Sequence, residues 1–102
     1  MPGDSPLVGG RPLPEVVRRI IADVLVVALE EVQPGKGLVR DLGAESIDFM
    51  DLVFRLEDAL ECQIPFPRWQ RFIEATLEGQ DLAVAITPEV VRLFAEQELA
   101  GV

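Results

Sequence analysis

Proline and glycine cut this chain into pieces, and each piece of any length has the periodicity of a helix, not of a strand. Gln33-Pro34-Gly35 and Ile64-Pro65-Phe66-Pro67 are the strongest breaks. Proline lacks the backbone donor and restricts the residue before it. Pro34, Gly35, Gly37 and Gly43 crowd one region, which predicts a long irregular loop over residues 33–45, with Leu38, Val39 and Leu42 tucked inward. No stretch shows the two-residue alternation of a half-buried strand, and no internal repeat is present.

Between the breaks, four helices are expected. The first runs from Glu15 to Val32 behind Pro14, with Val17, Ile20, Ile21, Val24, Ala28 and Val32 on one face. The second runs from Ser46 to about Glu61, with Ile47, Met50, Val53, Phe54 and Ala59 read as its apolar face. A third spans Arg68 to Leu77, carrying Trp69, Phe72, Ile73 and Leu77 inward and Arg68, Gln70, Arg71 and Glu74 outward, and Gly79 suits the turn after it. Thr87-Pro88-Glu89 is a helix start, a hydroxyl cap followed by proline and an acid. The expectation is an all-α four-helix bundle formed by residues 13–102, behind a proline- and glycine-rich flexible leader at 1–12.

Charge and residue usage narrow the function. With 18 acids against 9 bases the net charge is −9, which argues against nucleic acid or an anionic membrane as partner. Residues 41–62 hold seven acids and one base, Arg55. There is no histidine, so a Ser-His-Asp site is excluded, and the lone Cys62 allows neither an internal disulfide nor a cysteine-rich metal site. Cys62 reads as a small buried hydrophobe. No basic-then-apolar targeting segment is apparent, and Val24–Leu29 is too short to span a bilayer. A cytoplasmic monomer without enzymatic activity or bound metal is expected.

The remaining chemistry gathers on Asp41-Leu42-Gly43-Ala44-Glu45-Ser46-Ile47-Asp48, a turn at Gly43 followed by a hydroxyl at a helix start. From the residues alone, Ser46 is either a helix cap or a hydroxyl offered to another enzyme. This stretch resembles the D-L-G-x-D-S-L-D signature of acyl carrier proteins, and the similarity continues without a gap to Ile64-Pro65. Glu45 replaces the usual aspartate and Ile47 the usual leucine.

The resemblance implies an acyl-carrier-type bundle with a long loop between helices 1 and 2. It implies 4′-phosphopantetheine attached through a phosphodiester to Ser46, where a phosphopantetheinyl transferase would place it. Acyl intermediates would ride on the arm as thioesters to partner enzymes of fatty-acid, lipid or polyketide synthesis, that is, synthases and acyltransferases with basic patches. By position, Glu45, Asp48, Met50, Asp51, Phe54, Glu57 and Asp58 correspond to partner-reading residues of that family. About twenty residues separate Pro65 from Thr87, more than in ordinary acyl carriers. This enlarged segment between helices 2 and 4 is similar to that of carriers delivering very-long-chain hydroxyacyl groups to lipid A. Phe49, Phe54, Trp69, Phe72 and Ile73 are candidates for a seam that shelters the acyl chain, or else for ordinary core. Two alternatives stand beside the acyl carrier: an unmodified helical interaction module, and a peptidyl carrier, whose usual Gly-Gly before the His/Asp-Ser is not matched by Leu42-Gly43-Ala44-Glu45.

Overall fold

A computed structural model describes residues 6–101. Its five α-helices are α1 (Leu13–Leu25), α2 (Ser46–Leu60), α3 (Phe66–Thr76), α4 (Leu82–Ala85) and α5 (Pro88–Leu99). The helical bundle is the expected one, with the enlarged segment resolved into α3 and the four-residue α4. Asp81 starts α4 by accepting the Ala83 N–H at 3.1 Å. An element this short has no periodicity to read in advance.

The core lies where α1, α2 and α5 meet. Leu13, Val17 and Ile21 of α1, Leu52 and Leu56 of α2, and Val91 and Phe94 of α5 are all at most 1% exposed. From the opposite side α3 closes this core with Trp69, Phe72 and Ile73. Arg68 of α3 reaches Glu98 of α5 at 3.0 Å, where the carboxylate is nearly buried, and also donates to the Gln63 carbonyl. Thr87 caps α5 as anticipated, its Oγ1 accepting the Val90 N–H at 3.3 Å.

Three expectations need correction. The first helix stops at Leu25, not Val32: Val26 takes a left-handed conformation (φ 55°), and the Val26 and Val27 N–H groups both donate to Ala22 O. The chain then folds back, because Arg18 donates to the carbonyls of Leu29 (2.9 Å) and Val32 (3.0 Å) and Val32 becomes fully buried. A tertiary anchor thereby overrides local helical spacing. Second, the buried face of α2 is Leu52, Val53, Leu56 and Leu60, whereas Ile47, Met50 and Phe54 are 69%, 56% and 68% exposed. The helix carries two apolar stripes, and only packing selects which one is core. Third, within the expected leader, Leu7–Val8 and Arg11–Pro12 pair as a two-stranded antiparallel hairpin turning through Gly9 and Gly10, both at positive φ. Residues 1–5 of that leader lie outside the described residues.

The loop 33–45 is fixed by backbone bonds. Leu38 N–H donates to Ile86 O (2.9 Å) and Arg40 N–H to Ala83 O (3.0 Å), which ties the loop to α4 and its end. Gly37 lies so close that an added Cβ would sit 2.8 Å from Ala83 O. Leu38 and Leu42 are buried as expected, at 1% and 8% exposure. Within the loop, Asp41 Oδ2 accepts the Gly37 N–H at 2.8 Å, and the Asp41 N–H donates to the Gly37 carbonyl at 2.8 Å.

Candidate functional site

Ser46 is the first residue of α2 and is exposed to solvent. The cap is Glu45 instead: its N–H donates to Asp48 Oδ2 at 2.8 Å, and the Asp48 N–H donates to the Glu45 carbonyl at 2.9 Å. Glu45 and Asp48 together form a capping box, which engages two backbone N–H groups at the helix start without the serine and leaves others free. Among the described residues the Ser46 hydroxyl has no hydrogen-bond partner. The simple cap reading of Ser46 therefore fails, since its neighbours perform that task.

Access to the hydroxyl is open. Gly43 turns the chain at φ +79°, and nothing lies within 4 Å of where its side chain would be. Leu42 and Ala44 point inward, at 8% and 6% exposure, so the turn is anchored on both sides of the glycine. The start of a fifteen-residue helix favours a phosphate there, through free backbone N–H groups and the helix dipole.

Beside Ser46 opens a cleft of about 520 Å³, within the range of small-molecule sites. Phe49 and Met50 of α2, and Phe66, Trp69 and Ile73 of α3, form its facing walls. Leu82, Ala83 and Ile86 close one end, and Gln70 and Glu74 are its polar members apart from the serine. Three of the five seam candidates, Phe49, Trp69 and Ile73, come together here. Phe54 does not, being solvent-exposed on another side of α2, where it borders a shallow acidic depression with Glu57, Asp58 and Glu61. Phe72 does not either, because it packs behind the cleft against both Trp69 and Phe94. Phe66, Met50 and Leu82 belong to the cleft and were absent from the seam candidates. For Phe66, the signal was its place beside Pro65 and Pro67 at the head of α3.

The family model for the phosphopantetheine attachment site matches residues 15–68, just over half of the chain. The chain belongs to this family. Membership brings a covalently attached 4′-phosphopantetheine and interaction with a phosphopantetheinyl transferase and with partner enzymes. Carrier domains of this kind generally do no catalysis themselves. The residues present fit the group: an exposed, unengaged hydroxyl at a helix start, an open approach over Gly43, and an apolar cleft alongside. When bound, the arm supplies a terminal thiol, for which this chain's single cysteine is poorly suited. Cys62 is half-buried, and burial, reinforced by Glu98 and Glu57 against Arg68, holds its thiol above the ordinary pKa.

The carrier's other candidate residues separate by what they already do. Asp48 is engaged in the capping box. Asp51 pairs with Arg55 at 3.1 Å. Glu57 accepts the Ile64 N–H at 2.7 Å and so holds the exit from α2. Glu45 and Asp58 are exposed, and Asp58 makes no ion pair among the described residues. Met50 and Phe54, with Ile47, form an exposed apolar stripe on the same helix. No helix among the described residues is long and apolar enough to cross a membrane.

Proposed function

We propose that the protein is an acyl carrier whose arm is attached at Ser46 and whose acyl cargo rests in the cleft between α2 and α3. One observation carries this reading: the exposed Ser46 hydroxyl, relieved of capping by Glu45 and Asp48, sits on the lining of an apolar cleft. A carrier needs both features together, a hydroxyl free for phosphodiester formation and apolar surface able to cover an acyl group. The Leu42-Gly43-Ala44-Glu45 lead into Ser46 supports an acyl carrier over a peptidyl one. The setting is fatty-acid, lipid or polyketide synthesis in the cytoplasm.

Partner synthases and acyltransferases read the exposed side of α2. Ile47, Met50 and Phe54 supply apolar contact, while Glu45, Asp51 and Asp58 supply negative charge for a basic patch. Asp48 and Glu57 take part less directly, because they are occupied in backbone hydrogen bonds. Affinity for such partners is expected to fall steeply as salt rises. An affinity unchanged from low to high ionic strength would remove the acids from this role.

The deciding experiment is the intact mass after incubation with coenzyme A and a broad-specificity phosphopantetheinyl transferase, alongside Ser46→Ala. One added phosphopantetheine group in the parent and none in the variant is the expected result. No gain in a folded sample would favour an unmodified interaction module.

A further inference from the structure

The aromatic residues of this chain are concentrated under the cleft. Of five phenylalanines and one tryptophan, Phe49, Phe66 and Trp69 line it. Phe72 and Phe94 lie directly behind, and Phe54 alone is elsewhere. Phe49 and Trp69 stack with ring centres 6.1 Å apart and planes 22° from parallel. Trp69 meets Phe94 edge-on at 5.1 Å, and Phe94 meets Phe72 at 5.2 Å.

This layer closes the cleft from below: Trp69, Phe72 and Phe94 are 3%, 9% and 1% exposed, and on their far side lies a separate groove between α3 and α5. A long chain therefore has no path deeper into the bundle. Beside this layer the half-buried rings of Phe49 and Phe66 give the cleft flat, stiff walls, which reward offset or edge-on contact with another planar group beyond the area covered. A saturated chain gains only from area. Gln70 and Glu74, both exposed, keep polar groups on the α3 side of the lining.

We propose that the cleft selects a compact, planar acyl group, aromatic or conjugated, over a saturated chain. The inference rests on the carrier reading of Ser46. It also runs against a very-long-chain cargo, because the ring layer stops such a chain from extending beyond the cleft.

The test loads the protein from benzoyl-, octanoyl- and hexadecanoyl-coenzyme A with a permissive transferase, and intact mass verifies each load. Trp69 is the only tryptophan, so its emission reports directly on the cleft. Thioester hydrolysis, measured against the same acyl group on free pantetheine, reports shelter. The benzoyl group is expected to shift Trp69 emission and to slow hydrolysis about three- to tenfold more than the octanoyl group. The hexadecanoyl group should also be sheltered less than the benzoyl group, although it has more apolar area to cover. Phe66→Leu keeps apolar area at the half-buried edge of the cleft but removes a ring, and should reduce the benzoyl preference to less than half. Equal or better protection of octanoyl or hexadecanoyl, a silent Trp69 in every loaded form, or an undiminished preference in both Phe66→Leu and Phe49→Leu would each overturn the proposal. Failure of the arm to attach would overturn the carrier reading and this inference with it, whereas attachment with a silent Trp69 overturns the inference alone.

Discussion

The two halves of this bundle are held together differently. Where α1, α2 and α5 meet, aliphatic side chains and Phe94 are packed to complete burial. On the other half, α3, α4 and the loop 33–45 border a cleft against α2. There α3 is held by its buried Trp69, Phe72 and Ile73, whereas the loop and the α4 segment are joined to each other by backbone bonds such as Leu38 to Ile86 and Arg40 to Ala83. Dense apolar packing stabilises strongly but resists rearrangement. Backbone ties fix position while leaving side chains along the cleft free to adjust. A carrier needs both: one half that does not change as cargo comes and goes, and one half that can receive it.

The sharpest way to break this contrast is Phe94→Ala. Phe94 is 1% exposed and touches both halves through Trp69 and Phe72. Its truncation should destabilise by about 3–5 kcal/mol in denaturant unfolding. Leu82→Ala, on α4 at the end of the cleft and 44% exposed, should stay within about 1 kcal/mol of the parent. Similar losses at the two positions would erase the distinction between the halves.

Gly37→Ala probes the backbone ties. The new methyl meets Ala83 O and the Val84 backbone, and the expected loss is about 1–3 kcal/mol. Amide exchange should quicken at Leu38 and Arg40 while the amides of α1 stay protected. Uniform loss of protection would mean that the buried side chains of Leu38 and Leu42, rather than the backbone ties, hold the loop in place.

Next come the two residues at the start of α2. Asp48→Ala removes half of the capping box and should cost about 1 kcal/mol. Ser46→Ala should change thermal stability by less than about 0.5 kcal/mol, because no capping bond is lost. A larger loss at Ser46 than at Asp48 would return the serine to a structural role.

The smallest effect lies on α5. Arg92 pairs with Glu89 and Glu96, and its hydrogen bond holds the Glu89 carboxyl below the usual carboxylate range. A depressed folded pKa means that the stabilisation is present above the unfolded carboxylate pKa and is lost as pH falls through the folded value. Glu89→Gln should therefore be less stable than the parent at neutral pH by no more than about 1 kcal/mol, since Glu89 is half exposed. The gap should close in strong acid. A gap that persists there would assign the effect to packing.

Much of this was legible in the chain itself. The irregular loop over 33–45, Thr87-Pro88-Glu89, and the inward set Trp69, Phe72, Ile73 and Leu77 each follow from local chemistry, and the structure bears them out. The third helix, however, starts at Phe66 instead of Arg68 and takes Pro67 into its first turn, where a missing N–H costs nothing. The turn at Gly43 leading to Ser46 was readable for the same reason: a glycine at positive φ and a helix start are decided within a few residues.

What local chemistry left open was decided by partners distant in sequence. The first helix ends at Leu25 because Arg18 captures carbonyls 11 and 14 residues further on. One apolar stripe of α2 is core and the other faces solvent because α1 and α3 cover only one side. Phe49, Phe66 and Trp69 share a cleft only after α2 and α3 pack together. The chain by itself determines where helices can start and stop and which hydroxyl is chemically distinct, because those are matters of neighbouring residues. Which apolar surface is buried, and which is left open beside that hydroxyl, is settled only by tertiary packing, because burial depends on what else arrives at the same place.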